Sequence, residues 1–360
     1  MSFMDGVATW GLIVDRARLT DDAVRAEIDN WVLAHPASTP FHRPGWLLGV
    51  EAGTGQKAQM LVARMAGGSI LGVLPLTHIK STLFGKALVS SGFAVDGGIL
   101  TTHRKAGAVL ADAAWSLADE LGCGTLELRG GEAPEGLIWQ HKADAYLGFS
   151  RALAADDEAE LKAVPKRHRA EIRKGLGNDL TFEIGRDKRL RDIHYRLYAH
   201  SVHNLGTPVF PRALFDGVLD ELGDDADIAM VSKDGKPLSA VISLYHGGAC
   251  MPYWHGAAEG ARAMRSNEVL YFLLMRQARE RGLTTFDFGR SKVGTGPAAW
   301  KKTWGFEGEP LGYHLRTAPG KETRDVNPLS PQYRRKVEYW KKLPEPIANL
   351  IGPFIARGLG

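Results

Sequence analysis

Two stretches of the chain carry the same order of apolar and polar positions. Leu110–Gly131, "LADAAWSLADELGCGTLELRGG", aligns without gaps with Leu270–Ser291, "LYFLLMRQARERGLTTFDFGRS", 160 positions later. In both, apolar residues at helical spacing stop at a glycine, Gly122 or Gly282. Glycine takes the left-handed conformation that closes a helix. Each copy then resumes with period two, "TLEL" or "TFDF", which predicts a short strand carrying one carboxylate. The preceding segments match as well. "KAQMLVARMAGGSILGVLPLTHI" and "ADIAMVSKDGKPLSAVISLYHGG" both read as two β-rich runs joined by a glycine-containing turn, and "ALVSSGF" and "CMPYWHG" each add a strand. The pattern predicts one unit, strand–turn–strand–strand–helix–strand, used twice.

Between the units, "ADDEAELKAVPKRHRAEIRKGLGNDL" predicts helices with an acidic start and a basic block. "RLRDIHYRLYAHSVHNLG" predicts a helix closed by Gly206, and "TPVFPRALFDGVLDEL" a proline-bounded turn into another. These helices open the second unit. The expected division is a first domain over 1–155, a second over 156–315 and an extension over 316–360.

Composition fits two ordinary globular domains: 360 residues, 44% hydrophobic and 24% charged. Cys123 and Cys250 sit in apolar surroundings, as free thiols of a reducing compartment do. The start lacks the pattern of a secretion signal, and no apolar run reaches the length of a spanning helix. The expected location is cytoplasmic. The net charge of +4 is local: residues 331–360 hold six Lys/Arg against Glu338 and Glu345, and the rest is balanced. A chain-wide basic surface for gripping nucleic acid is excluded. In the same extension Ile347, Leu350, Ile351, Phe354 and Ile355 follow helical spacing behind "YRRKVEYWKK". Such a segment suits either peripheral contact with the inner face of a membrane or packing on the first domain.

The chemistry-bearing residues cluster in "FDFGRSKVGTGPAAWKKTWGFE". This segment and "RHRAEIRKGLGNDL", with "FHRPGW" and "LYAHSVHNLGTPVFPRALF", resemble the FemAB family of tandem GNAT-fold acyltransferases. The resemblance is nearest to the branch found at exopolysaccharide and PEP-CTERM/exosortase loci. It implies an α/β (α+β) fold of two tandem GNAT-like domains. It also implies transfer of an aminoacyl or other acyl group to an amine of a peptidoglycan, exopolysaccharide or other cell-envelope precursor. No bound cofactor is implied; the acyl donor is a co-substrate, aminoacyl-tRNA or, as an alternative, acyl-CoA. The chain departs from the family in having Pro297, Ala298 and Ala299 where an aromatic often stands, and in lacking a long helical hairpin between its domains.

Lys301 aligns with the lysine of the family's Phe-Lys pair, which implies that it stabilises the oxyanion or the leaving group; the plainer reading is that Lys301 and Lys302 lie over Trp300 and Trp304. Arg290, Ser291 and Lys292 with Gly294 and Gly296 suit a phosphate-holding loop at a strand end, where α/β ligand sites lie, or a solvated loop. Asp287 alternates with Phe286 and Phe288 and suits an amine-orienting base, although Glu127 repeats it in the first unit. Arg169, Arg173 and Lys174 suit tRNA or a diphosphate-linked acceptor, or a solvated face. Tyr253 suits a cleft wall or the core. No acetyl-CoA pyrophosphate loop, nucleophile elbow or metal-ligand cluster is found. Two further readings stay open: a CoA-dependent N-acyltransferase, and a non-enzymatic assembly factor at the membrane surface.

Overall fold

The computed structural model describes residues 11–136, 138–324 and 331–360, and for 331–334 the backbone alone. The first unit runs β1 (Leu12–Arg16), α1 (Asp22–Ala34), α2 (Pro44–Thr54), β2 (Lys57–Met65), β3 (Ile70–Ser81), β4 (Gly85–Ser90), β5 (Leu100–Thr101), α3 (Arg104–Glu120), β6 (Thr125–Arg129), β7 (Gln140–Lys142) and β8 (Tyr146–Ala152). α4 (Asp157–Ala163) and α5 (Lys166–Leu176) follow. The second unit is β9 (Thr181–Gly185), α6 (Lys188–Leu205), α7 (Arg212–Leu222), β10 (Ala226–Lys233), β11 (Lys236–His246), β12 (Ala249–Ala257), α8 (Ala261–Met264), α9 (Ser266–Glu280), β13 (Thr285–Lys292), α10 (Gly296–Thr303), β14 (Glu309–Pro310) and β15 (Tyr313–Thr317). α11 (Pro331–Lys342) and α12 (Glu345–Ala356) end the chain.

The expected repeat is present and reaches further forward than the sequence comparison did. β1, α1 and α2 precede the first unit's strands as β9, α6 and α7 precede the second's. Both long helices close in the same way. Gly122 and Gly282 have φ of 66° and 78°, and the next residue's N–H bonds back to Ala118 or Ala278.

Each unit builds a sheet whose fourth and fifth members are parallel. β4 pairs with β6 at Leu88–Leu126 and Val89–Glu127; β12 pairs with β13 at Ala249–Thr285 and Cys250–Phe286. The last strand of each unit then crosses over. β8 runs antiparallel to β13 in the second sheet, while β15 runs antiparallel to β6 in the first. A cut at residue 155 therefore leaves in the first piece a strand that belongs to the second sheet.

Several cores result. One lies between the first sheet and α3, another between the second sheet and α9. The largest joins the units, stacking Trp46 on Trp254 with ring centroids 5.6 Å apart. Across that joint α2 and α7 touch backbone to backbone because Gly45, Gly49 and Gly53 recur at every fourth position. A Cβ at Gly53 would stand 2.3 Å from Cα of Leu214. Gly53→Ala is expected to lower stability by roughly 1–3 kcal/mol, because the overpacked helices must part. An unchanged denaturant midpoint would show that the helices separate freely.

α12 meets the body through small residues. Ala348, Gly352 and Ala356 are buried on one face, with Gly352 against the backbone of Val209. The helix packs on α6 of the second unit, whereas the segment beyond it reaches the first. Arg324 donates to the carbonyls of Gly358 and Leu359, and Arg129 to that of Gly360.

Candidate active site

β12 and β13 separate after their two paired residues, and each carries a bulge where they do. Tyr253 is the extra residue of β12 opposite Ile242 and Ser243; Phe288 and Gly289 together oppose Phe149 of β8. A bulge bends and twists its strand, so two of them open a wedge in the sheet. Among the described residues no strand pairs with the β13-facing edge of β12 beyond Cys250, while β11 stays paired along the other edge to Ala257.

The bulge of β13 closes around Lys301. Its Nζ donates to the carbonyls of Phe288 (2.6 Å), Gly289 (3.1 Å) and Arg290 (3.0 Å), and it lies 5.3 Å from the ring centre of Phe149. Burial pulls its pKa down to about 8 against the attraction of Asp287. An ammonium has three N–H bonds, and three carbonyls take them. Lys301 therefore acts in this geometry through the shape and charge of β13. Lys302, the next residue on α10, is exposed and shares the wall of a surface cavity with Trp300, whereas Lys301 is buried beside the ring of Phe149.

Asp287 accepts from the N–H of Gly289 at 2.7 Å, inside the bulge. Burial raises its pKa to about 6, opposed by the Gly289 hydrogen bond and Lys301, and the negative charge of Asp96 adds to the rise. Asp96 comes from the first unit, on the loop between β4 and β5, where neither periodicity nor the family resemblance singled it out. Its own pKa is also raised by burial, against hydrogen bonds from Gly97 and Gly98. Ser91 and Phe93 on that loop have φ of 40° and 64°, strained for residues with a Cβ. Three consecutive carbonyls fix the strained loop. Phe93 accepts from the Tyr253 hydroxyl (2.8 Å), Ala94 from Arg129 (3.0 Å) and Val95 from the Tyr313 hydroxyl (2.6 Å). Gly130 has to be glycine here, since a Cβ would stand 2.2 Å from Oδ1 of Asp96. Both units and a crossed strand thus hold the loop that carries Asp96, whose carboxylate accepts from the Gly97 N–H at 2.6 Å.

The remaining residues singled out in the sequence divide. Tyr253 serves as the clasp just described. Arg290 lies over the ring of Tyr146 at 4.4 Å and donates to the Tyr313 hydroxyl at 2.6 Å, so it braces the crossed strands. Ser291 is buried in β13 and Lys292 is half-buried at its end, while Gly294, with φ of 73°, turns the chain and Gly296 opens α10. Arg169 caps α4, donating to the carbonyls of Val164 and Lys162; Arg173 and Lys174 are exposed.

From the basic block, Arg167 reaches a cavity of about 1070 Å³, whose walls also hold His168, Arg262, Arg265 and Lys302 with Glu171 and Glu268. The N-terminus of α9 opens there, adding its dipole to the cations. A second cavity of about 360 Å³ shares Asn267 and Trp300 with it and reaches His255, Gly296 and Lys301. Asn267 fixes His255 at 3.0 Å, and burial holds that imidazole neutral, with a pKa of about 4. A long donor can therefore lie with its anionic part at α9 and its reactive end toward the wedge. Two cations of the first cavity, Arg262 and Arg265, sit between strand and helix without any recognisable phosphate motif, and Arg265 is paired with Glu171 at 2.6 Å.

The comparisons with known proteins agree with this architecture. Residues 162–302 match the model of a family described as an acetyltransferase (GNAT) domain. No curated protein matches the chain. Among solved structures it is similar to FemX, with a TM-score of 0.68, 16% identity, and coverage of 84% of this chain and 97% of that one. It is also similar to a tandem GNAT protein from the clavulanic acid biosynthesis pathway (TM-score 0.55, 14% identity, 86% and 100% covered). A third is the C-terminal domain of a putative lysylphosphatidylglycerol synthetase from Agrobacterium fabrum (TM-score 0.52, 14% identity, 83% and 93% covered). The fold is that of tandem GNAT proteins, and by class the chain is an acyltransferase.

Proposed function

We propose that the protein is a FemAB-like acyltransferase that moves an aminoacyl or other acyl group onto an amine of a cell-envelope precursor, with peptidoglycan or exopolysaccharide intermediates as the acceptor class. The observation that carries this reading is the buried Asp287, which accepts from the Gly289 N–H inside the β13 bulge that Lys301 braces, beside the wedge between β12 and β13. The Asp287 carboxylate attracts an amine in its ammonium form and, with a pKa of about 6, takes its proton. The freed nitrogen attacks the acyl carbon, a C–N bond forms, the bond to the donor's oxygen or sulfur breaks, and the nitrogen's surplus proton passes to that leaving alcohol or thiol. In this reading a backbone N–H of β12 beyond Cys250, other than at Pro252, stabilises the intermediate oxyanion. The cation-lined cavity at α9 receives the donor's phosphates.

That cavity also supports the second reading, an acyl-CoA-dependent N-acyltransferase, since a pyrophosphate fits the same cations. The exopolysaccharide-locus assignment rests on the resemblance of the 286–307 segment. Purified protein offered labelled aminoacyl-tRNA, acyl-CoA and envelope-precursor amines is expected to pass label from aminoacyl-tRNA. Transfer from CoA alone would establish the second reading, and no transfer from either would remove both.

A further inference from the structure

The outer face of α12 runs against the usual rule for a docked helix. Its small residues face the body, and its large apolar ones face out: Leu350 and Phe354 are 70% and 65% exposed, with Ile347 and Ile351 beside them. A helix made only to pack would place them the other way round. Leu83, at the β3–β4 turn and 66% exposed, adds to the same apolar surface from a distant part of the chain. Lone exposed apolar residues are ordinary, but a joined cluster on two elements marks an interaction surface.

Two cavities meet at Leu83. One, of about 290 Å³, has Lys80, Lys86 and Arg357 in its walls with Ser81 and Thr82, and it reaches Phe354; among the described residues no carboxylate lines it. The other, of about 340 Å³, is lined mainly by apolar groups, including Phe84, Val337, Trp340 and Ile355. The indole N–H of Trp340 is buried and has no hydrogen-bond partner. A cationic pocket joined to an apolar one, inside an apolar rim, has the complementarity of an anionic amphiphile.

We propose that this face docks on a membrane surface containing anionic phospholipid. The headgroup phosphate sits among Lys80, Lys86 and Arg357, and the acyl region lies against Leu83, Leu350 and Phe354. Apolar insertion and headgroup attraction act together, as stable peripheral binding requires two signals. The surface is independent of the Asp287 site and of which acyl donor is used.

Vesicle flotation with the full chain tests it, using phosphatidylcholine vesicles with and without phosphatidylglycerol. Binding is expected for the phosphatidylglycerol vesicles and is expected to weaken as salt rises. Leu350→Glu with Phe354→Glu is expected to reduce vesicle binding about tenfold or more, with an unchanged circular dichroism spectrum. Lys80→Glu with Lys86→Glu is expected to abolish the preference for phosphatidylglycerol. Equal binding to both vesicle types, or binding that survives both double substitutions, overturns the proposal. So does saturation of the cationic pocket by inorganic phosphate in a protein that ignores vesicles. A wild-type dimer that Leu350→Glu with Phe354→Glu dissociates, without vesicle binding, would instead make the face an interface between copies.

Discussion

Asp287→Asn is expected to lower kcat by roughly 10²–10⁴-fold, the usual contribution of a positioned base, while making the folded chain more stable at neutral pH. The two effects share one cause. Burial raises the folded-state pKa of Asp287 to about 6 from an ordinary value of 3.8, so the folded state holds the proton more tightly than the unfolded one. Between those values stability falls as pH rises, and above pH 6 the full cost of the buried charge is present, on the order of 3 kcal/mol. Asparagine removes the charge and keeps an oxygen to accept from Gly289. Denaturant titrations should therefore show the variant ahead of the parent at pH 7.5 and level with it near pH 4. For the parent, kcat/KM should rise through about pH 6. A variant as active as the parent, or one no more stable at pH 7.5, would exclude Asp287 as the buried base. Asp96→Asn supplies the companion test, because losing that neighbouring charge is expected to move the pH midpoint downward.

Lys301→Met carries the second large effect. It removes the donor shared by three buried carbonyls on β13, and breaking such a buried charged group's contacts costs roughly 3–5 kcal/mol. It also removes the positive charge next to Asp287. The pH midpoint of kcat/KM is then expected to rise above 6, a shift that a merely loosened protein would not produce. Lys301→Arg keeps the charge and is expected to hold the midpoint near 6, but it is not expected to restore the stability, because a planar guanidinium cannot converge on three carbonyls as an ammonium does. An unshifted midpoint with full stability would mean that Lys301 neither braces the bulge nor tunes the base.

Much of this architecture is legible because local rules fix it. Glycines at 122 and 282 end helices, and alternation in "TFDF" puts Asp287 on the face opposite Phe286 and Phe288. What is not legible depends on partners far along the chain. Alternation says which face a residue occupies but not which strand lies beside it, so nothing in "YLGFSRA" marks β8 as a neighbour of β13. Asp96 stands in a glycine loop that becomes a site only when Tyr253, Arg129 and Tyr313 hold its carbonyls. Lys301 and Lys302 are chemically alike, and the phase of a helix of eight residues decides which is buried. The small-residue face of α12 was in plain view as Ala348, Gly352 and Ala356; its meaning depended on knowing that Val209 lies against it.

The crossing of β8 and β15 also sets a timetable for synthesis on the ribosome. Until Thr317 has emerged, β6 lacks its antiparallel neighbour and the first sheet presents an open edge to other nascent chains. The early half of this protein must therefore wait, incompletely formed, for the late half. Slow folding and chaperone dependence follow from the long sequence separation of those contacts. Splitting the gene between the units would yield two products that each expose the edge the other was built to cover.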